Sequence, residues 1–181
     1  MRFDGLTVKE SGAQTVLTLA ETKLQLRVLD QFDDANISAC MESAVAYVEN
    51  FIWQSLRPQT LVASYTPDGT GFAELFRAAF DELLSVKYYD TDGALQTLDL
   101  SGVSVDDSLF VPRAYFDEPK TDPARFGAVK ITYKTRAPQP VSAQIKQAAL
   151  VATAQFYDER DNPDLTAVDN LLRPIATRYL L

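Results

Sequence analysis

The sequence predicts an α+β fold that is mainly a helical bundle, with a long central helix, C-terminal helices and a small antiparallel β region. Residues 34–56 and 143–159 carry apolar side chains at helical spacing, and glycine and proline are missing from the longer stretch. Residues 128–135 instead alternate apolar with polar side chains, which is the period of a strand with one buried face. Because 181 residues suffice for one sizeable core, we expect a single domain over residues 1–181.

Composition and charge exclude several classes of function. The chain contains no histidine, so it cannot build a Ser-His-Asp, Cys-His or His-bearing zinc site by itself. The single cysteine, Cys40, cannot form an internal disulfide and is expected to be a small core residue. The net charge is −8, and no basic patch is visible in the sequence, so tight DNA binding is not expected. No membrane-spanning run or signal core is present, which favours synthesis in a cytoplasm.

The N-terminal third predicts an arm followed by a helical hairpin. Residues 1–17 are read as an N-terminal arm that ends in a candidate short strand at Thr15–Leu17, and residues 18–57 as two helices. Thr18 and Glu21 form a capping box for the first helix. The second helix begins after the acidic link at residues 30–34. Its apolar face is expected to carry Ile37, Met41, Ala44, Val45, Val48, Phe51 and Ile52, with Asn36, Glu42, Glu49 and Asn50 on the opposite side.

Residues 58–136 predict the β region. The Asp-Gly pair at residues 92–93 favours a tight hairpin turn, whereas residues 72–82 suit a strand or a helical turn equally well. Residues 112–126 carry three prolines and several charges, so we expect a functional or mobile loop. The predicted strands cover residues 60–66, 83–89, 94–98, 103–105, 109–111 and 128–135.

Residues 138–173 predict the C-terminal helices, and residues 174–181 a tail. The alanines of residues 143–159 allow another helix to approach closely. Asn162 and Pro163 resemble the start of a last short helix, and Pro174 is expected to end it.

No motif in the sequence predicts a reactive or metal-binding site. Residues 90–93 resemble a calcium loop only superficially, because Gly93 falls at the fourth position and Ser101 occupies the twelfth. There is no glycine-rich phosphate loop, no G-x-S-x-G and no C-x-x-C. We therefore expect no catalytic residues, no cofactor and no metal.

An ordered set of segments resembles the head-tail connector (adaptor) family of long-tailed bacteriophages and gene transfer agents. The resemblance covers residues 15–179. The segments are TLAETKLQLRV, ISACMESAVAYVENFIWQSL, VKYYDTDGALQTL, GAVKITYKT, PVSAQIKQAALVATAQFYDER and AVDNLLRPIATRY.

The resemblance implies a structural virion protein rather than an enzyme. It implies a twelvefold ring in the neck, beneath the portal vertex, that joins the DNA-filled capsid to a stopper or tail-completion protein. Double-stranded DNA would pass through the lumen without sequence-specific binding, and no membrane is involved. The alternatives are another phage neck or tail-completion protein, a soluble binding domain, or an enzyme with an unrecognised site.

Two sets of residues are the predicted interfaces. The resemblance points to the C-terminal region as the portal-facing part, and the apolar tail is expected to dock there unless it folds back onto its own helices. The portal set is Arg173, Ile175, Arg178, Tyr179, Leu180 and Leu181. The subunit or stopper set, on the proline-rich loop, is Arg113, Tyr115, Phe116, Asp117, Glu118 and Lys120.

Overall fold

The structure is a computed structural model that describes residues 1–77, 79–109, 111–122, 125–138, 140–159 and 161–176. These residues form four α-helices and eight β-strands. The chain divides into two compact units. A strand unit comprises residues 1–12 and 58–136, and a helical unit comprises residues 13–57 and 137–181. That both units act as one connector domain stays a prediction.

The helical unit is built on two long helices that pack against each other. Its helices are α1 (Leu19–Leu26), α2 (Asp34–Ile52), α3 (Ala143–Asp158) and α4 (Thr166–Ala176). Two of them begin at a hydroxyl cap: the Thr18 side chain accepts a hydrogen bond from the Glu21 N–H, and the Ser142 side chain accepts one from Ile145. The core of this unit takes the apolar face of α2 and the alanines of α3, including the fully buried Ala44, Val45, Val48, Ile52, Ala148, Ala149 and Ala152.

The strand unit contains two antiparallel sheets. The larger sheet has the order β1-β2-β8-β4-β5, and the smaller has the order β3-β7-β6. The strands are β1 (Arg2–Ser11), β2 (Gln59–Thr66), β3 (Phe72–Glu74), β4 (Phe80–Tyr89), β5 (Leu95–Thr97), β6 (Ser104–Asp106), β7 (Arg113–Tyr115) and β8 (Val129–Thr135).

The central strand β8 sets the two faces of the larger sheet. Val129, Ile131 and Tyr133 are fully buried, whereas Lys130 and Thr132 between them are only half-buried. Side chains alternate along a strand, so one face of the sheet joins the core of this unit and the other is polar. Burial raises the pKa of the Tyr133 phenol, which donates a hydrogen bond of 2.9 Å to the Phe76 carbonyl.

The expectation of a mainly helical bundle is wrong. The described strands hold almost as many residues as the helices and form two antiparallel sheets, so the fold is α+β with both parts well developed. Two predicted regions account for the difference. The N-terminal arm contains the ten-residue strand β1, and the predicted loop at residues 112–126 contains β7 at the centre of the smaller sheet.

Three smaller expectations also change. Thr15–Leu17 lies outside any strand, and so do Leu109 and Val111. The last helix begins at Thr166, where the Asp164 carboxylate accepts a hydrogen bond from the backbone N–H, rather than at Pro163. Pro174 lies inside that helix instead of ending it, because α4 continues to Ala176.

Candidate functional site

The described part of the portal set lies at the end of α4. The Arg173 side chain is exposed, and Ile175 is half-buried against the core of the helical unit. The other four members, Arg178, Tyr179, Leu180 and Leu181, lie outside the described residues.

A hollow of about 340 Å³ opens beside this helix end. Its position follows from the fold of the helical unit, because the segment that leads into α3 contains Pro138 and Pro140 and cannot continue a helix. The walls combine apolar side chains with the polar side chains Gln54, Ser142 and Gln144, so an inserted side chain with both apolar and polar atoms would suit the hollow. The lining residues are Gln54, Pro138, Pro140, Val141, Ser142, Gln144, Ile145, Pro174 and Ile175.

Polar contacts fix α4 to the rest of the helical unit. The Tyr47 hydroxyl on α2 donates a hydrogen bond to the Asp169 carboxylate in the first turn of α4. The Gln144 amide on α3 donates one to the Leu171 carbonyl. Desolvation, together with the neighbouring Asp169 carboxylate, raises the pKa of Tyr47 to about 12. The first half of α4 is therefore held in place by side chains from both long helices.

The second predicted set lies partly in strand β7. Arg113 forms an ion pair of 2.9 Å with Glu74 on β3, and its guanidinium lies 4.6 Å from the centre of the Phe72 ring. These contacts cross between adjacent strands of the smaller sheet, since Glu74 and Arg113 are directly opposite in the register. The Glu74 contact raises the pKa of Arg113, so its charge is constant at all ordinary pH values.

Glu118 organises a neighbouring glycine turn. Its two carboxylate oxygens accept hydrogen bonds from the Gly69 and Gly71 N–H groups, at 3.0 and 3.1 Å. Both glycines have positive φ angles, 83° and 72°, which other residues adopt only at a cost. Glu118 thus satisfies the backbone N–H groups of the glycine turn, and both of its carboxylate oxygens accept hydrogen bonds within the strand unit.

Exposure divides the remaining members of the second set. Phe116 is 7% exposed and belongs to the core of the strand unit. Tyr115 is 37% exposed, and Asp117 and Lys120 are also exposed. Three side chains of the set are therefore available to another molecule.

Two highly exposed apolar residues were missed by the sequence analysis. Leu29 is 97% exposed and Phe32 is 96% exposed, and both lie in the link between α1 and α2. The sequence does show a large apolar residue on each side of Asp30, but we interpreted this link only by its acidic residues. Large exposed apolar side chains close together are typical of surfaces that are covered in an assembly.

Comparison with known families decides the class of protein. Residues 16–115, more than half of the chain, match the family described as phage gp6-like head-tail connector protein. The chain belongs to this family. The predicted resemblance is confirmed, and the connector is a structural protein of the virion neck, where head and tail join.

Solved structures share the fold of the connector. One similar chain lies in the neck of an empty gene transfer agent particle, computed with C6 symmetry. The two chains superpose with a TM-score of 0.70 at 18% identity, over 92% of this chain and 94% of that one. A chain in the neck of the native particle, computed with C12 symmetry, gives a TM-score of 0.68 at 18% identity, with 92% and 93% covered. No curated protein matches the connector.

The described residues of the connector also limit its chemistry. No group of three or more cysteine, aspartate or glutamate side chains among them could hold a metal ion. None of the helices that the structure describes is long and apolar enough to cross a membrane. Three surfaces among the described residues of the connector are candidates for contact with other proteins: the end of α4 with its hollow, the exposed part of the β7 region, and the link between α1 and α2.

Proposed function

We propose that the connector assembles as a twelvefold ring beneath the portal vertex, with the portal protein on one side and a stopper or tail-completion protein on the other. Membership of the head-tail connector family carries this proposal. The C12 and C6 symmetries of the similar necks support a ring, because copies related by closed rotational symmetry repeat one contact around an axis. Double-stranded DNA passes through the lumen of this ring.

The role is structural, with no catalysed reaction. The family and the similar neck structures support this part of the proposal. The sequence supports it further, because a chain without histidine does not carry the commonest general base.

The portal side is assigned to the end of α4. Arg173 supplies an exposed cation, and the hollow beside Ile175 can receive a side chain of the portal protein. The predicted portal set also includes the tail residues Arg178, Tyr179, Leu180 and Leu181, which combine one cation with three large apolar or aromatic side chains.

The contact with a stopper or a neighbouring subunit is assigned to the β7 region. Tyr115, Asp117 and Lys120 are the members of the predicted set whose exposure allows contact with a stopper or a neighbouring subunit. Arg113 and Glu118 hold this surface in shape through their bonds to Glu74 and to the glycine turn.

Mass photometry of purified portal with the connector tests this function. We expect portal complexes that gain mass in steps of 20.1 kDa, up to twelve subunits. A free monomer is compatible with the proposal, since the portal can act as the template for the ring.

Two results would count against the proposal. If the connector does not bind its cognate portal at any concentration tested, the adaptor role is wrong. If it instead binds only tail-completion proteins, it has another position in the neck.

A further inference from the structure

A group of cations lies on the open face of the larger sheet, where the sequence shows no basic cluster. Lys130 on β8 is directly opposite Lys87 on β4 and Ser64 on β2. Directly opposed residues share a face, and the adjacent residues Val86 and Ile131 are fully buried. Lys87 and Lys130 therefore lie side by side on the face that does not join the core of this unit.

The two lysines form a like-charge pair without a compensating carboxylate. No Asp or Glu lies within ion-pair distance of Lys87 or Lys130 in the described part of the chain. Like charges directly opposite each other destabilise a sheet. Lys134, two residues along β8 from Thr132, differs in this respect, because its ammonium lies 3.0 Å from a Glu82 oxygen. The unbalanced charge is thus confined to one end of the sheet face.

Aromatic rings hold further cations at that end. The Arg125 guanidinium lies 3.4 Å from the centre of the Tyr89 ring, and the Lys130 ammonium lies 5.6 Å from it. Arg2 on β1 lies 5.2 Å from the centre of Phe126, an exposed ring. A cation on an aromatic face is stabilised while it stays near solvent. These contacts orient the cations without neutralising them.

The nearby carboxylates are engaged in other contacts. Asp4 accepts hydrogen bonds from Thr66 and the Gly127 N–H, at 2.6 and 3.1 Å, and lies 3.4 Å from Arg2. Asp90 accepts bonds from the turn of its own hairpin and from Gln96. Lys87, Arg125 and Lys130 remain as three cations without a carboxylate partner among the described residues.

The composition of this face indicates which anion it suits. Small hydroxyl side chains, such as Ser64 and Thr132, share this face with the two lysines, and the Tyr89 and Phe126 rings each lie against a cation. Stable protein interfaces are depleted in lysine at their centres and contain apolar or aromatic anchors. Lysine, arginine, serine and threonine are the side chains that contact DNA phosphates. The opposed lysines, Lys87 and Lys130, therefore fit phosphates better than they fit the centre of an interface with an acidic protein.

We propose that this face, defined by Arg2, Lys87, Arg125 and Lys130, contacts the phosphate backbone of duplex DNA weakly and independently of sequence. The inference rests on the proposed function, because it requires this face to line the lumen through which the DNA passes. Three to four cations in a chain of net charge −8 give a contact that is strong at low salt and lost at high salt. Such a contact allows the duplex to slide instead of holding it.

Fluorescence anisotropy with a labelled random-sequence duplex of about two helical turns tests the inference on the full chain at about 50 mM salt. The wild type should bind, and its affinity should fall linearly with salt on logarithmic axes. The double variant Lys87→Gln/Lys130→Gln should bind at least about fivefold more weakly, with a salt slope lower by about 2, because each lost phosphate contact removes about one counterion. Arg125→Gln, which leaves both strands unaltered, should lower the slope by about 1.

Lys134→Gln is the matched control, since it removes the same charge from the same strand and face at a site paired with Glu82. Its binding should stay within about twofold of the wild type. The inference is overturned if the wild type does not bind DNA at low salt, or if the double variant and the control bind DNA equally well.

Portal binding by the same variants separates the DNA contact from the proposed adaptor function. If the double variant no longer forms a ring on the portal, this face contacts a neighbouring subunit and the DNA proposal is wrong. If the wild type and all the variants bind the portal but none of them binds DNA, the proposed function stands and only the DNA contact is wrong.

Discussion

The largest departure from sequence reasoning at the residue scale is Glu49. The helical pattern placed it on the solvent side of α2, yet it is 2% exposed. One carboxylate oxygen accepts a 2.7 Å hydrogen bond from the Leu56 N–H, and the other lies 3.1 Å from the Arg57 Nε. Arg57 also reaches Glu42 at 2.6 Å. Glu49 thus satisfies the chain where it leaves α2, and it compensates a buried guanidinium.

This arrangement predicts unequal costs for two alanine substitutions on one helix. Glu49→Ala leaves Arg57 without its buried partner and should lower the free energy of unfolding by about 3 to 5 kcal/mol. Glu42→Ala removes a half-exposed partner of the same arginine and should cost at most about 1 kcal/mol. Urea unfolding of both variants measures the difference. Equal losses would contradict the assignment of Glu49 as the inner partner.

The sequence could not reveal this pair, because a helical wheel sorts residues by polarity and not by partner. Arg57 lies beyond the end of α2, at a distance that depends on how the chain turns there. Trp53 makes that turn with a positive φ of 54°, a conformation that no local pattern signals for a tryptophan. By contrast, the apolar positions Val48 and Ile52 are fully buried as predicted, since their burial follows from spacing alone.

At the scale of elements, the sequence predicted a helix or strand correctly where the residues of that segment alone carry the pattern. The Thr18 cap, the start of α2 at Asp34 and the alternation of β8 are as predicted. Strands β1 and β7 were missed because neither has a strong local pattern. All but three residues of β1 are exposed, and β7 has only three residues and depends on pairing with β3 and β6. Their strand conformation comes from partners distant in sequence.

The junction between α2 and α4 predicts a pH dependence. The pKa of Tyr47 is raised to about 12 by desolvation and the Asp169 carboxylate, whereas a tyrosine in the unfolded chain titrates near 10. The folded protein thus holds this proton more tightly. The stability that it contributes is fully present below about pH 10 and is lost as the pH rises toward 12.

Comparison of the wild type with Tyr47→Phe isolates this effect, because the other tyrosines cancel in the difference. The stability advantage of the wild type over the variant, measured by urea unfolding, should shrink between about pH 10 and pH 12. An advantage that stays constant over this range would mean that Tyr47 titrates alike in the folded and unfolded states.

At the scale of the whole molecule, the order of segments predicted the family, and the family match confirmed it. The balance between helix and strand was not predictable to the same degree, because it depends on long-range strand pairing. The interface sets show the same division. The sequence identified polar and apolar candidates, but only the fold separates the buried Phe116 from the exposed Tyr115 and reveals the hollow beside Ile175.

The last prediction concerns the tail beyond α4. The buried residues Val168 and Leu172 anchor this helix, and Ile175 packs against the same core. Deleting residues 177–181 therefore leaves every described contact of α4 in place, and the melting temperature should change by no more than about 2 °C. Portal binding, measured by mass photometry, should be lost. A variant with Gly-Ser residues at positions 177–181 keeps the length and removes the side chains, so it should fail to bind as well. If the deletion instead melts much lower and still joins the portal, the tail packs on its own helices and the portal contact lies elsewhere.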